Sequence, residues 1–112
     1  MKLVTAIIQP GKLYEVMHAV SRSGARGLTV TEVRGFGQQY GHMGQFQPAD
    51  QEALLLPKLR LDVVVHDELV SAATEAIVKS AHTGAIGDGK IWVSQVESAL
   101  RVRTGERDWE AV

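Results

Sequence analysis

The sequence predicts an α+β fold, with helices packed on one face of an antiparallel sheet. Two observations carry this expectation. Hydrophobic periodicity switches between 2 and about 3.6 residues in the order strand, helix, strand, strand, helix, strand. Between the second and third strands lies a long segment, 36–57, where a hairpin typically needs only about two to five residues. At 112 residues the chain suits one domain, 1–112, with one core.

The first element is KLVTAII (2–8), an apolar β-prone run stopped by Pro10 and Gly11. From Leu13 the spacing turns helical, with Leu13, Val16, Met17 and Val20 on one face, and Gly24 and Gly27 close the run. GLTVTEVRG (27–35) is rich in β-branched residues and reads as the second strand. In KLRLDVVV (58–65), Leu59, Leu61, Val63 and Val65 alternate with Arg60, Asp62 and Val64, the mark of a strand buried on one side. Residues 67–83 return to helical spacing through Leu69, Val70, Ala73, Ala76 and Ile77, with Asp67 expected as the N-cap. The turn GAIGDG (84–89) then leads into KIWVSQV (90–96), the fourth strand. This order is the ferredoxin-like split βαββαβ unit, in which both helices share one sheet face. Val33, Val64 and Val96 are expected on the other face, and an uncovered apolar face predicts self-association.

Composition removes several classes of function. A net charge of −1 and the lack of a Lys/Arg cluster give no electrostatic footprint for nucleic acid. With no cysteine there are neither disulfides nor thiolate metal sites. The opening run, MKLVTAIIQP, is too short for a signal sequence or a membrane span, so the expected compartment is the cytoplasm. His18, His42, His66 and His82 have no metal-ligand spacing, and no nucleophile set or carboxylate pair stands out for catalysis.

Three stretches remain as carriers of chemistry. TGAIGDGK (83–90) imitates the spacing of a P-loop, but Ile91 stands where Mg²⁺ needs a hydroxyl, and the helix precedes the loop instead of following it. Its glycines still free backbone N–H groups to cup an anion, and Lys90 adds charge; the plainer reading is a helix C-cap at Gly84 and a tight turn. In RVRTG (101–105), Arg101 and Arg103 would emerge on one side of an extended strand as paired phosphate-binding forks, or simply protect an edge strand by charge. The long segment carries glycines at its base and five glutamines, and loops of this length in compact domains are usually functional or disordered.

Taken together, MKLVTAII (1–8), GLTVTEVRGFGQQYGH (27–42), LPKLRLDVVV (56–65), TGAIGDGKIWVS (83–94) and RVRTGE (101–106) resemble the PII nitrogen-regulatory signal-transduction family over nearly the whole chain. The resemblance implies a non-catalytic homotrimer that binds ATP or ADP in the clefts between subunits and 2-oxoglutarate when Mg·ATP is in place. Carried over by position, the nucleotide would meet Thr29, Gly37, Gln38, Val64, Gly87, Asp88, Gly89, Lys90, Arg101 and Arg103. The 2-oxoglutarate site would use Gln39, Lys58 and Gly87, with Gln39 also coordinating Mg²⁺. The long segment would be the family's T-loop, about 37–55, which engages a protein partner: a transporter, or an enzyme or regulator of nitrogen metabolism. Any membrane contact would be indirect, through a transporter. Gln51 and Ala49 stand where relatives carry a nucleotidylated tyrosine or a phosphorylated serine, so modification is not expected at either. Gln47, Gln38 and Ala85 replace further basic residues common in the family, so the chain resembles a divergent paralogue with an altered loop. A relative that senses adenylates without 2-oxoglutarate and regulates carbon or other transport is the alternative; an ATP-hydrolysing enzyme is a weaker one, as no general base is evident at the phosphate site.

Overall fold

The computed structural model describes residues 1–37 and 55–112. It is an α+β fold of the ferredoxin-like type. Strands β1 (Lys2–Ile8), β2 (Thr29–Gly35), β3 (Leu56–Val65) and β4 (Lys90–Gln95) form one antiparallel sheet in the order β2-β3-β1-β4. Helices α1 (Leu13–Arg22) and α2 (Val70–Ala81) make the two crossovers.

The alternation in β3 is realised in the sheet. Leu59, Leu61, Val63 and Val65 are buried, and the pairs Ile8↔Leu59, Ala6↔Leu61 and Val4↔Val63 place β1's buried residues beside them. Val16 and Val20 of α1 and Ile77 and Ala81 of α2 close over this face to complete the core. Met17, expected on the same helical face, remains 39% exposed at the edge of the stripe. β3 begins two residues earlier than the alternation suggested, at Leu56. Beyond Ile8↔Leu59 β1 has ended, so Pro57 has only β2 beside it, where it pairs with Arg34.

Two helix-end expectations are corrected. Residues 67–69 form a 3₁₀ turn ahead of α2, and the Asp67 carboxylate does not cap it. That carboxylate instead accepts from the Met1 ammonium at 2.9 Å and from Lys2 Nζ at 3.2 Å, contacts that hold its pKa below the usual carboxylate value. At the other end α2 stops at Ala81 with His82 as its cap in extended conformation, so Gly84 is not the C-cap.

The opposite sheet face carries no helix among the described residues. By register it presents Leu3, Thr5 and Ile7 of β1 beside Arg60, Asp62 and Val64 of β3, with Val33 on β2 and Trp92 on β4. Its centre is polar. Thr5 Oγ1 donates to Asp62 at 2.8 Å, Arg60 Nε donates to the same carboxylate at 3.0 Å, and the Arg60 guanidinium lies 5.9 Å from the Trp92 ring centre. Thr5 is fully buried on a face that no helix among the described residues covers. Burial opposes ionisation of Asp62, but the bonds from Arg60 and Thr5 and the charge of Arg60 outweigh it and lower its pKa.

Candidate functional site

The residues singled out in the sequence fall into two groups at opposite ends of the sheet. The first gathers around the 83–90 loop. The Asp88 carboxylate turns back into this loop and accepts from the Thr83 hydroxyl, from Thr83 N–H at 2.8 Å and from Gly84 N–H at 2.9 Å. These donors, the Thr83 hydroxyl foremost, bring its pKa down to about 2. Asp88 therefore builds the loop: its oxygens close a ring from the end of α2 to the start of β4. Gly87 and Gly89 take φ values of 104° and 107°, a region L-residues avoid. At Gly89 the sheet leaves no room for a side chain, because a β-carbon there would stand 1.6 Å from the carbonyl oxygen of Ile7. The loop is thus pressed against the end of β1, and Lys90 enters β4 opposite Ile7.

Lys58 joins this group from β3. It is 7% exposed, and its ammonium donates to the Gly87 carbonyl at 2.9 Å. Burial lowers its pKa, and the neighbouring Asp88 charge partly offsets that. Two residues expected at one carboxylate site, Lys58 and Gly87, are therefore in direct contact. Gly37 follows β2 just beyond the Gly35↔Leu56 pair, at this same end of the sheet. Gln38 and Gln39, like Gln51, Ala49 and the rest of the expected T-loop from 38 to 54, lie outside the described residues.

The second group lies at the far end. Arg101 lines a cleft of about 390 Å³ with Val64, Val65, His66, Arg26, Glu106 and Trp109. Thr29, opposite Asp62, is a diagonal neighbour of Val64 across the sheet. The expectation of an extended strand carrying both arginines is corrected. Residues 101–105 form a turn closed by Gly105 N–H to Arg101 O at 2.8 Å and Arg101 N–H to Glu106 O at 2.8 Å, with Leu100 bridged to Arg107. Gly105, at φ 73°, permits the reversal. The guanidinium of Arg101 is held by Glu106 Oε1 at 3.0 Å, while Arg103 sits exposed on the turn. The sequence reading missed Glu106, although it lay within the quoted RVRTGE. It also missed the stack of His66 on Trp109, with ring centroids 3.7 Å apart, which ties the C-terminal segment to the end of β3.

The two groups do not meet within one chain. Lys90 is opposite Ile7, whereas Val65, beside Arg101, is opposite Lys2. Those positions are separated by about 17 Å along β1. Among the described residues no group of three or more His, Asp or Glu side chains could hold a metal ion, and no helix is long and apolar enough to cross a membrane.

Comparisons with known proteins agree with the sequence motifs. A family model described as nitrogen regulatory protein P-II matches residues 1–106. Over 112 residues, all of this chain and all of each relative, the sequence is 51% identical to a nitrogen regulatory protein P-II of Rhizobium etli and 49% identical to one of Azospirillum brasilense. It is 46% identical, again over the full length of both, to the nitrogen regulatory protein GlnK of Escherichia coli. The chain belongs to the PII nitrogen regulatory protein family, whose members are signal-transduction regulators that typically bind adenine nucleotides and 2-oxoglutarate.

Proposed function

We propose that this protein senses ATP or ADP together with 2-oxoglutarate and passes the result to a protein partner through the 37–55 loop. The observation that carries the reading is the division of the anion-binding residues into two groups. Lys90, Gly87, Gly89 and Lys58 stand at one end of the sheet, and Arg101 and Arg103 at the other. The strand positions beside them stand about 17 Å apart along β1, which favours a phosphate site shared between chains over one within a single chain. Copies packed through the helix-free face would bring one chain's loop to the next chain's arginine turn. A cyclic homotrimer supplies three such clefts, and each copy would act as one domain.

At the loop end, the positive-φ glycines present backbone N–H groups to phosphate oxygens and Lys90 adds its charge. At the other end, Thr29 and Val64 would line the base, and the arginines would meet the phosphates. The Lys58 ammonium, with one donor spent on Gly87, keeps two for the distal carboxylate of 2-oxoglutarate. Gln39 offers Mg²⁺ a hard amide oxygen, and the remaining ligands would come from nucleotide and acid. The ion would supply the positive charge that lets two anions share the cleft. Because Gln39 stands at the base of the partner-binding segment, ligand occupancy and loop shape would be linked.

Calorimetry tests this reading. 2-Oxoglutarate should bind with Mg·ATP present and fail to bind with ADP or without metal. By linkage, the acid should tighten ATP by the same factor that ATP tightens the acid. Equal binding of 2-oxoglutarate in the presence of ADP and ATP would contradict it.

A further inference from the structure

The two arginines of the 101–105 turn are not equivalent, and the difference lies in Glu106. Arg101 is fixed at three points. Its N–H donates to the Glu106 carbonyl at 2.8 Å, its own carbonyl accepts from Gly105 N–H at 2.8 Å, and its guanidinium donates through Nη1 to Glu106 Oε1 at 3.0 Å. Backbone and side chain of the same pair therefore close on each other. The Leu100↔Arg107 bridge and the Asp108 bonds to Ala99, 2.8 Å through its N–H and 3.0 Å to its carboxylate, clamp the base of the turn. Arg103 has no hydrogen bond or ion pair among the described residues, and its neighbour Val102 is 98% exposed.

An exposed ion pair by itself contributes little to stability. Its worth here is positional. A guanidinium has five donors in a rigid fork, and a single oxygen on Nη1 leaves the Nε and Nη2 edge open for a phosphate. Holding one edge removes rotamer freedom before the ligand arrives. We infer that Glu106 is a positioning residue for nucleotide phosphate, acting through Arg101 and not through Arg103. The inference rests on the nucleotide reading above and deepens it.

The test measures ATP affinity by calorimetry in wild type, Glu106→Ala, Arg101→Ala and the double variant. Glu106→Ala should weaken ATP roughly fivefold in the wild-type background, the worth of part of an arginine's rotamer freedom. In the Arg101→Ala background the same change should have no further effect, whereas in an Arg103→Ala background it should keep its full effect. Glu106→Gln, which retains an acceptor oxygen, should restore most of the loss. Weakening of equal size with and without Arg101, or no weakening in the wild-type background, overturns the inference. Side-chain NMR of the ligand-free protein adds a readout that needs no nucleotide. The Arg101 Nε–H should be ordered and that of Arg103 mobile, with Glu106→Ala making both mobile. If wild type binds no ATP, the nucleotide reading and the phosphate role fall together. A mobile Arg101 Nε–H in wild type overturns the positioning itself.

Discussion

Gly89→Ala should be among the most damaging single-methyl changes in this chain. The added β-carbon would stand 1.6 Å from Ile7 O and 2.7 Å from Ile7 C, and both are backbone atoms that no rotamer change can move aside. The residue would also have to hold a φ of 107°, which costs an L-residue on the order of 1–2 kcal/mol. Relieving the overlap means parting β4 from β1 by more than an ångström near Lys90↔Ile7. A ladder hydrogen bond broken there costs about 1–3 kcal/mol if its groups are left unpaired. Together these give about 2–5 kcal/mol, a fall in Tm of roughly 8–20 °C at a fixed protein concentration. Gly84→Ala is the control, since it shares a positive φ of 90° but its nearest neighbour, the His82 ring, is 3.8 Å away. It should cost only the conformational part. Gly11→Ala, with nothing within 4 Å, should stay within about 0.5 kcal/mol of wild type. Thermal unfolding of the three variants side by side decides the matter. A Gly89→Ala protein no less stable than Gly84→Ala would refute the close approach of loop and strand.

Other consequences follow from the same geometry. Asp88 is ionised in the folded loop down to about pH 2, against 3.8 for the unperturbed group, so its contribution to loop order should be complete above pH 4 and lost as pH falls toward 2. The carboxyl ¹³C shift of Asp88 should show that low midpoint, and Thr83→Val should raise it; a wild-type midpoint at or above 3.8 would contradict the ring. Arg103→Ala should weaken ATP about tenfold or more through loss of a charge-assisted contact, with little change in Tm. Unchanged affinity would leave the arginine as surface charge. Intact mass measured on protein from nitrogen-rich and nitrogen-poor cells should reveal no nucleotidyl or phosphoryl adduct in 36–57, because Gln51 has no phenol, Ala49 no hydroxyl, and Tyr40, the one phenol in that stretch, adjoins Gln39 in sequence, where a bulky nucleotidyl group would collide with the proposed metal site.

The parts of this fold that were legible in the sequence are those set by local periodicity. Leu59, Leu61, Val63 and Val65 alternate because one side of β3 is buried under two helices, and that pattern survives without knowledge of any partner strand. What local spacing could not supply is contact between distant residues. Asp67 reads as a helix cap until the chain's own amino terminus, far away in sequence, reaches it. Arg101 and Arg103 read as one side of a strand until Gly105 reverses the backbone. Lys58 and Gly87, 29 positions apart, were linked only through resemblance to a family, since neither periodicity nor charge pattern joins them. Spacing alone left the 83–90 loop open between a cap and an anion cradle. The structure moves the cap to His82 and gives Gly89 a packing role, held against β1.

The central claim is that the nucleotide site is shared between copies, and mixing two defective chains tests it most directly. Lys90→Ala and Arg103→Ala variants would each be prepared alone, and then unfolded and refolded together in equal amounts. Neither variant alone should bind ATP with wild-type affinity. In a cyclic trimer of randomly mixed chains, about a quarter of the clefts should pair an intact Lys90 from one copy with an intact Arg103 from the next. Calorimetry on the mixture should therefore recover about a quarter of the sites at wild-type affinity. If both residues served one chain's own site, every site in the mixture would still lack one of them; recovery of no wild-type sites would contradict the account.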